Sequence, residues 1–181
     1  YFLWDRDYNG KCEVNSMKGS EIISSKKRYM NQVSSDVFVR YNQAIDILDK
    51  VNSFKEKKFD YQVSSRKPFG LPTNFDNYSK TKSKSNELLL YRFGNNGYVS
   101  IKNIIKNHKL INQFKVLVPK ASPGGDNYPH QVFTYPTLSY PGSVCTETYI
   151  VIGGYDSKKI ALNVMSYICT SLFRFLVLLI K

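Results

Sequence analysis

The sequence predicts an α+β domain: a mixed, mostly antiparallel sheet with flanking helices. Three observations carry this. Apolar runs and turn signals alternate in the order strands, helix, strands, helix, strand, helices, which suits segregated rather than βαβ layers. The stretch Leu88-Leu-Leu-Tyr-Arg-Phe93, Gly94-Asn-Asn-Gly97, Tyr98-Val-Ser100 reads as a hairpin. An apolar helical pattern runs from Ile160 to Ile180.

Taken in order, Tyr1-Phe-Leu-Trp4 and Lys11-Cys-Glu-Val14 flank Asn9-Gly10 and predict a hairpin with a longer loop. A strand is expected around residues 21–25. Asp36 is a helix N-cap for residues 37–51, where Val37, Tyr41, Ala44, Ile45, Leu48 and Val51 share one face. Residues 64–73 hold two prolines and a glycine and predict a rigid loop. A short helix over residues 101–107 follows the hairpin, then a strand over residues 115–120 ended by Pro119. Residues 121–130 form a long loop, and residues 143–152 a strand. Asp156 offers an N-cap for a helix over residues 157–169, and Thr170-Ser171 marks a break before a second helix over residues 171–181. The chain opens without Met and ends inside an apolar helical pattern, so an excised part of a larger protein is expected.

Composition narrows the function classes. The chain has 181 residues, 42% of them hydrophobic, which allows a real core and excludes a disordered chain. Its 26 Lys+Arg against 14 Asp+Glu give a net charge of +12. That excess favours a polyanion, nucleic acid first; the alternative is a solubilising lysine coat. Cys12, Cys145 and Cys169 are far apart, with no CxxC, so neither a disulfide framework nor a zinc site is suggested. A reduced, cytoplasmic setting is expected. His108 and His130 have no near cysteine or histidine, and no metal is expected. The tail run over residues 172–180 is short of the roughly 20 residues a bilayer span needs.

No catalytic residues are assigned. P-loop and GxGxxG fingerprints are absent, as is Gly-Xaa-Ser-Xaa-Gly. An independent nuclease would need a metal cluster, and Glu56-Lys-Lys58 supplies only a fragment of one. Two loops carry the candidate DNA-binding residues. In the first, Ser64, Ser65, Arg66 and Lys67 bring two hydroxyls and two cations together, the groups that hold phosphates, with Ser65, Arg66 and Lys67 the candidate contacts. Phe69 either packs beneath this loop or wedges at a base step; the plainer alternative is an ordinary proline-rich connection. In the second, Lys120 and Ser122 suit phosphates while Asp126 and Asn127 suit base edges, unless the loop is simply a surface connection. Arg92, between Tyr91 and Phe93, is either a contact or the exposed side of a sheet. Glu147 is expected to be a structural partner of Arg174.

Several segments together resemble one family. They are Tyr1-Phe-Leu-Trp-Asp-Arg-Asp-Tyr-Asn-Gly-Lys-Cys-Glu-Val14, Ser65-Arg-Lys-Pro-Phe-Gly-Leu71, Phe114-Lys-Val-Leu-Val-Pro-Lys-Ala121, Pro141-Gly-Ser-Val-Cys-Thr-Glu-Thr-Tyr149 and Thr170-Ser-Leu-Phe-Arg-Phe-Leu176. In this order they resemble the region after the catalytic core of type IIG-like adenine-specific DNA methyltransferases of restriction–modification systems. The resemblance implies residues 1–15 as the last strand and hairpin of a methylase core, and residues 16–181 as one DNA-recognition-like domain. It implies double-stranded DNA and the remainder of the methyltransferase chain as partners. It also implies S-adenosylmethionine as cofactor of the parent enzyme. No two prolines are adjacent, so the family's Asn/Asp-Pro-Pro-Tyr/Phe motif is missing, and no cofactor site is expected here. The rival reading is a structural module that braces the methylase core or binds a specificity subunit through its last two helices.

Overall fold

The computed structural model describes residues 3–30, 37–120 and 132–180. Among them it holds eight strands in three mostly antiparallel sheets and four α-helices, the expected α+β content. The chain divides into two compact units, Tyr1–Lys57 with Phe175–Lys181, and Lys58–Arg174. The division expected after residue 15 falls inside the first strand.

In the first unit, β1 (Cys12–Lys18) pairs antiparallel with β2 (Glu21–Arg28). The sequence predicts a hairpin around Asn9-Gly10. It lies instead at Gly19-Ser20: the half-buried alternation of Cys12, Val14 and Ser16 carries the strand past Asn9-Gly10, and the pairing runs on to Lys18 opposite Glu21. Gly19 takes φ +62, the first position of a two-residue hairpin loop that glycine suits. Helix α1 covers Ala44–Ser53, beginning seven residues later than the expected 37 (44 minus 37). The expected cap, Asp36, lies outside the described residues. The segment before α1 is committed elsewhere: buried Arg28 donates through Nη2 to the Val39 carbonyl (2.5 Å) and through Nε to Asn42 Oδ1 (3.0 Å). Val39, Ala44, Ile45 and Leu179 form this unit's core, with Leu48, Phe175 and Leu176 packed against them.

Asn42 is the hub of this unit. Its Nδ2 donates to the Val14 carbonyl (2.7 Å) and to Ser24 Oγ (3.1 Å), while its Oδ1 serves the guanidinium. Alanine there strands a buried cation that already has Nη1 without a partner. Asn42→Ala should therefore cost about 3 kcal/mol. Urea unfolding measures it, and a cost under about 1 kcal/mol would show that water replaces the amide.

In the second unit, β3 (Leu88–Tyr91) pairs antiparallel with β4 (Gly97–Val99), as expected, and parallel with β7 (Ser143–Cys145). The other sheet has the order β6 (Thr137–Ser139), β5 (Phe114–Pro119), β8 (Tyr149–Tyr155), all antiparallel. The single strand expected over residues 143–152 is thus two strands in different sheets. Thr146, fully buried, turns the chain between them, with Tyr149 N–H donating to its carbonyl (3.2 Å). The helix expected over residues 101–107 is only a 3-10 turn, Ile101–Asn103. Ile104, in extended backbone, ends it, and Asn107 at φ +58 precedes the short α2 (His108–Ile111).

Helix α3 (Lys158–Ile168) lies against β5, β6 and β8. Its N-cap is Ser157, whose Oγ accepts from Lys159 N–H (3.2 Å). The expected cap, Asp156, accepts from Gln113 Nε2 instead (3.1 Å). The expected break at Thr170-Ser171 is present: α4 spans Ser171–Ile180, and Thr170 Oγ1 accepts from Phe173 N–H (3.2 Å). Among the described residues no single helix is long and apolar enough to cross a membrane. The core gathers Phe69, Leu71, Leu90, Val99, Leu117 and Val144 from both sheets and the 64–73 loop.

Lys115 is buried in this unit, its ammonium donating to the carbonyls of Gln113 (2.9 Å), Tyr140 (3.4 Å) and Ile111 (3.5 Å). Burial lowers its pKa from 10.5 to about 8, against the attraction of Cys145. Burial likewise raises the Cys145 thiol from 9.0 to about 12, with Lys115 opposing. Between about pH 8 and 10.5 the unfolded chain holds a Lys115 proton the folded chain lacks, so stability rises with pH. Above about pH 9 the unfolded chain loses a Cys145 proton the folded chain keeps, which offsets the Lys115 rise. Urea midpoints should climb from pH 8 to about 9 and then level. In Lys115→Met the climb should vanish; a climb that survives would assign it to another group.

Candidate nucleic-acid interface

The 64–73 loop is pinned from beneath along its length. Ser64 N–H donates to the Val151 carbonyl (2.8 Å), and Ser64 Oγ accepts from Val151 N–H (2.9 Å). Asn107 Nδ2 donates to the Pro68 carbonyl (2.6 Å), and Ile105 N–H to that of Phe69 (3.2 Å). Phe69 and Leu71 are core residues. Of the two roles open to Phe69, the structure shows packing beneath the loop; a fully buried ring is not available as a wedge. Gly70 has φ +87, and a Cβ there would sit 2.9 Å from Ile105 Cβ, so both conformation and space require glycine.

Above this base the cations are presented outward. Arg66 is 70% exposed and Lys67 42% exposed at their side chains. Lys67 has φ +54, a left-handed conformation uncommon for lysine, and its carbonyl accepts from Gly70 N–H (3.0 Å). Ser65 is exposed between the anchored Ser64 and Arg66. Lys106 donates to the Arg66 carbonyl (3.3 Å), adding a cation forty residues distant that no local sequence signal marks.

Glu147 organises these charges. Arg66 Nε lies 3.1 Å from its Oε2 and Lys67 Nζ 3.8 Å, while Thr73 Oγ1 reaches Oε1 at 3.5 Å. The Arg66 hydrogen bond, then the charges of Arg66 and Lys67, hold its pKa below the ordinary carboxylate value against some desolvation. The expected pairing of Glu147 with Arg174 is thus corrected. Arg174 instead stacks on Phe133 (5.0 Å) and Tyr135 (5.3 Å).

Lys120 is exposed at the end of β5, its N–H donating to the Thr148 carbonyl (2.8 Å). Residues 147 and 148 therefore touch both candidate groups: one takes the loop cations, the other the backbone of Lys120. A cleft of about 630 Å³ opens here, lined by Thr73, Arg92, Phe93, Lys120, Glu147 and Tyr149 among others. Arg92 follows β3 and lies over the Tyr78 ring (4.4 Å). Ser122, Asp126 and Asn127 lie outside the described residues. Among the described residues no group of three or more His, Cys, Asp or Glu is placed to hold a metal.

Comparison with protein families, with curated proteins and with solved structures finds no match to this chain.

Proposed function

We propose that this chain is the DNA-binding, target-recognition region of a site-specific adenine-N6 DNA methyltransferase of a restriction–modification system. The observation that supports it most is the 64–73 loop, whose buried Phe69 and exposed Arg66 and Lys67 make a fixed cationic projection on a chain of charge +12. Fixed cations lose little freedom on meeting a phosphate, and released counterions supply the affinity. On this reading methyl transfer from S-adenosylmethionine belongs to the rest of the enzyme.

Fluorescence-anisotropy titration with a mixed-sequence duplex at several salt concentrations tests the DNA-binding part. Binding should weaken linearly in log salt, the slope giving the number of phosphates neutralised. No binding even at low salt would sink it.

A second reading, a module that binds the methylase core or a specificity subunit, is favoured by the exposed apolar side chains Ile160, Leu162, Tyr167 and Leu172 on the last two helices. A dimer without DNA affinity in sedimentation and titration would favour it over the first.

A further inference from the structure

The cleft beside Lys120 carries chemistry that phosphate gripping by the loop leaves unused. Arg92 donates through Nη1 to the Tyr78 hydroxyl (3.0 Å) and to the Asn95 carbonyl (3.4 Å), while its Nε is buried without a hydrogen-bond partner. Among the described residues no carboxylate lies within ion-pair distance of Arg92 or Lys120. The carboxylate that lines the cleft, Glu147, is already taken by Arg66 and Lys67. Among the described residues, then, two cations without a carboxylate partner line this cleft.

Phe93, 76% exposed in the turn of the β3–β4 hairpin, lines the same cleft. A phenyl ring so exposed contributes little to its own fold. Tyr149, half-buried, adds a second ring, and burial and nearby Cys145 keep its phenol protonated. Cations beside an exposed ring suit a flat heterocycle carrying a phosphate. The ring stacks on the base, and the cations meet the phosphate. The volume, about 630 Å³, lies within the roughly 300–1,000 Å³ of small-ligand sites.

We infer that this cleft holds one unstacked nucleotide, its base on Phe93 and its phosphate on Lys120 and Arg92. The inference rests on the DNA-binding reading for its preferred source, an unpaired nucleotide of a DNA strand; a free nucleotide has the same chemistry.

The test uses the whole chain and three probes: a duplex with a single unpaired 2-aminopurine, the same duplex fully paired, and free 2-aminopurine deoxynucleoside monophosphate. The unpaired duplex should bind about tenfold tighter than the paired one, with its emission quenched by stacking. Phe93→Ala should remove both the preference and the quenching while leaving paired-duplex affinity within about twofold, since one exposed ring is lost and no phosphate contact. Lys120→Ala should weaken the unpaired duplex more than the paired one. Quenching of the monophosphate, lost in Phe93→Ala, would also support the cleft and, without duplex affinity, would overturn the DNA reading alone. Equal affinity for both duplexes, with emission unchanged for every probe, would overturn the cleft and leave the DNA reading standing. No binding of any probe would overturn both.

Discussion

Alanine at both Arg66 and Lys67 is expected to weaken duplex binding about 10- to 100-fold near 0.15 M salt. It should also flatten the plot of log affinity against log salt by about 2, since each lost phosphate contact removes about 0.9 from the slope. Both side chains are partly or largely exposed, and their partners in the fold are Glu147 and the solvent. The fold itself should survive, which near-native thermal melting at neutral pH would establish. The conformation of Lys67 supplies a control. At φ +54 glycine is better suited than lysine, so Lys67→Gly removes the charge without straining the turn. The glycine variant should lose about 1 in slope and gain slightly in stability. A slope unchanged in the double variant would move the phosphate contacts away from this loop.

Phe69→Ala should cost about 3–5 kcal/mol of stability, the range for truncating a buried aromatic. The ring is fully buried among the core residues of the second unit. Few backbone bonds would replace it: the loop would keep the hydrogen bonds from Ile105 and Asn107 at its middle but lose the group that fills the space beneath. Urea unfolding measures the stability loss. Duplex titration of the folded fraction should show a weaker, less steep salt dependence, since the cations are no longer held. A variant that loses stability but keeps full affinity would show that the cations act without their platform.

Much of the second unit was legible where local chemistry decides. Gly94-Asn-Asn-Gly97 allows little but a turn, so the β3–β4 hairpin follows from its flanks. Pro119 ends β5 because it has no N–H to continue the ladder. The break before α4 follows from Thr170, which prefers capping to continuing a helix. Legibility failed where a distant polar partner intervened. Arg28 is buried against residues eleven and fourteen positions away, and that shortens the expected helix from its N-terminal side. Glu147 meets Arg66 across 81 positions, a pairing that residue types permit and no spacing specifies. The split of residues 143–152 has the same origin: a Thr-Glu-Thr run continues the β alternation on paper, while the loop claims Glu147 for itself.

The tie between Glu147 and the loop makes the charge offered to a partner adjustable. At neutral pH one carboxylate stands behind two cations, so Arg66 and Lys67 together present about one net positive charge rather than two. An arriving phosphate must draw Arg66 away from a partner it already has, which penalises ligands too weak or too mobile to compete. Because Arg66 depresses the Glu147 pKa, this restraint holds well into mild acid and lifts only as pH falls through that lowered value. Polyanions bound by the loop should therefore be gripped harder in acid, by a group that never touches them.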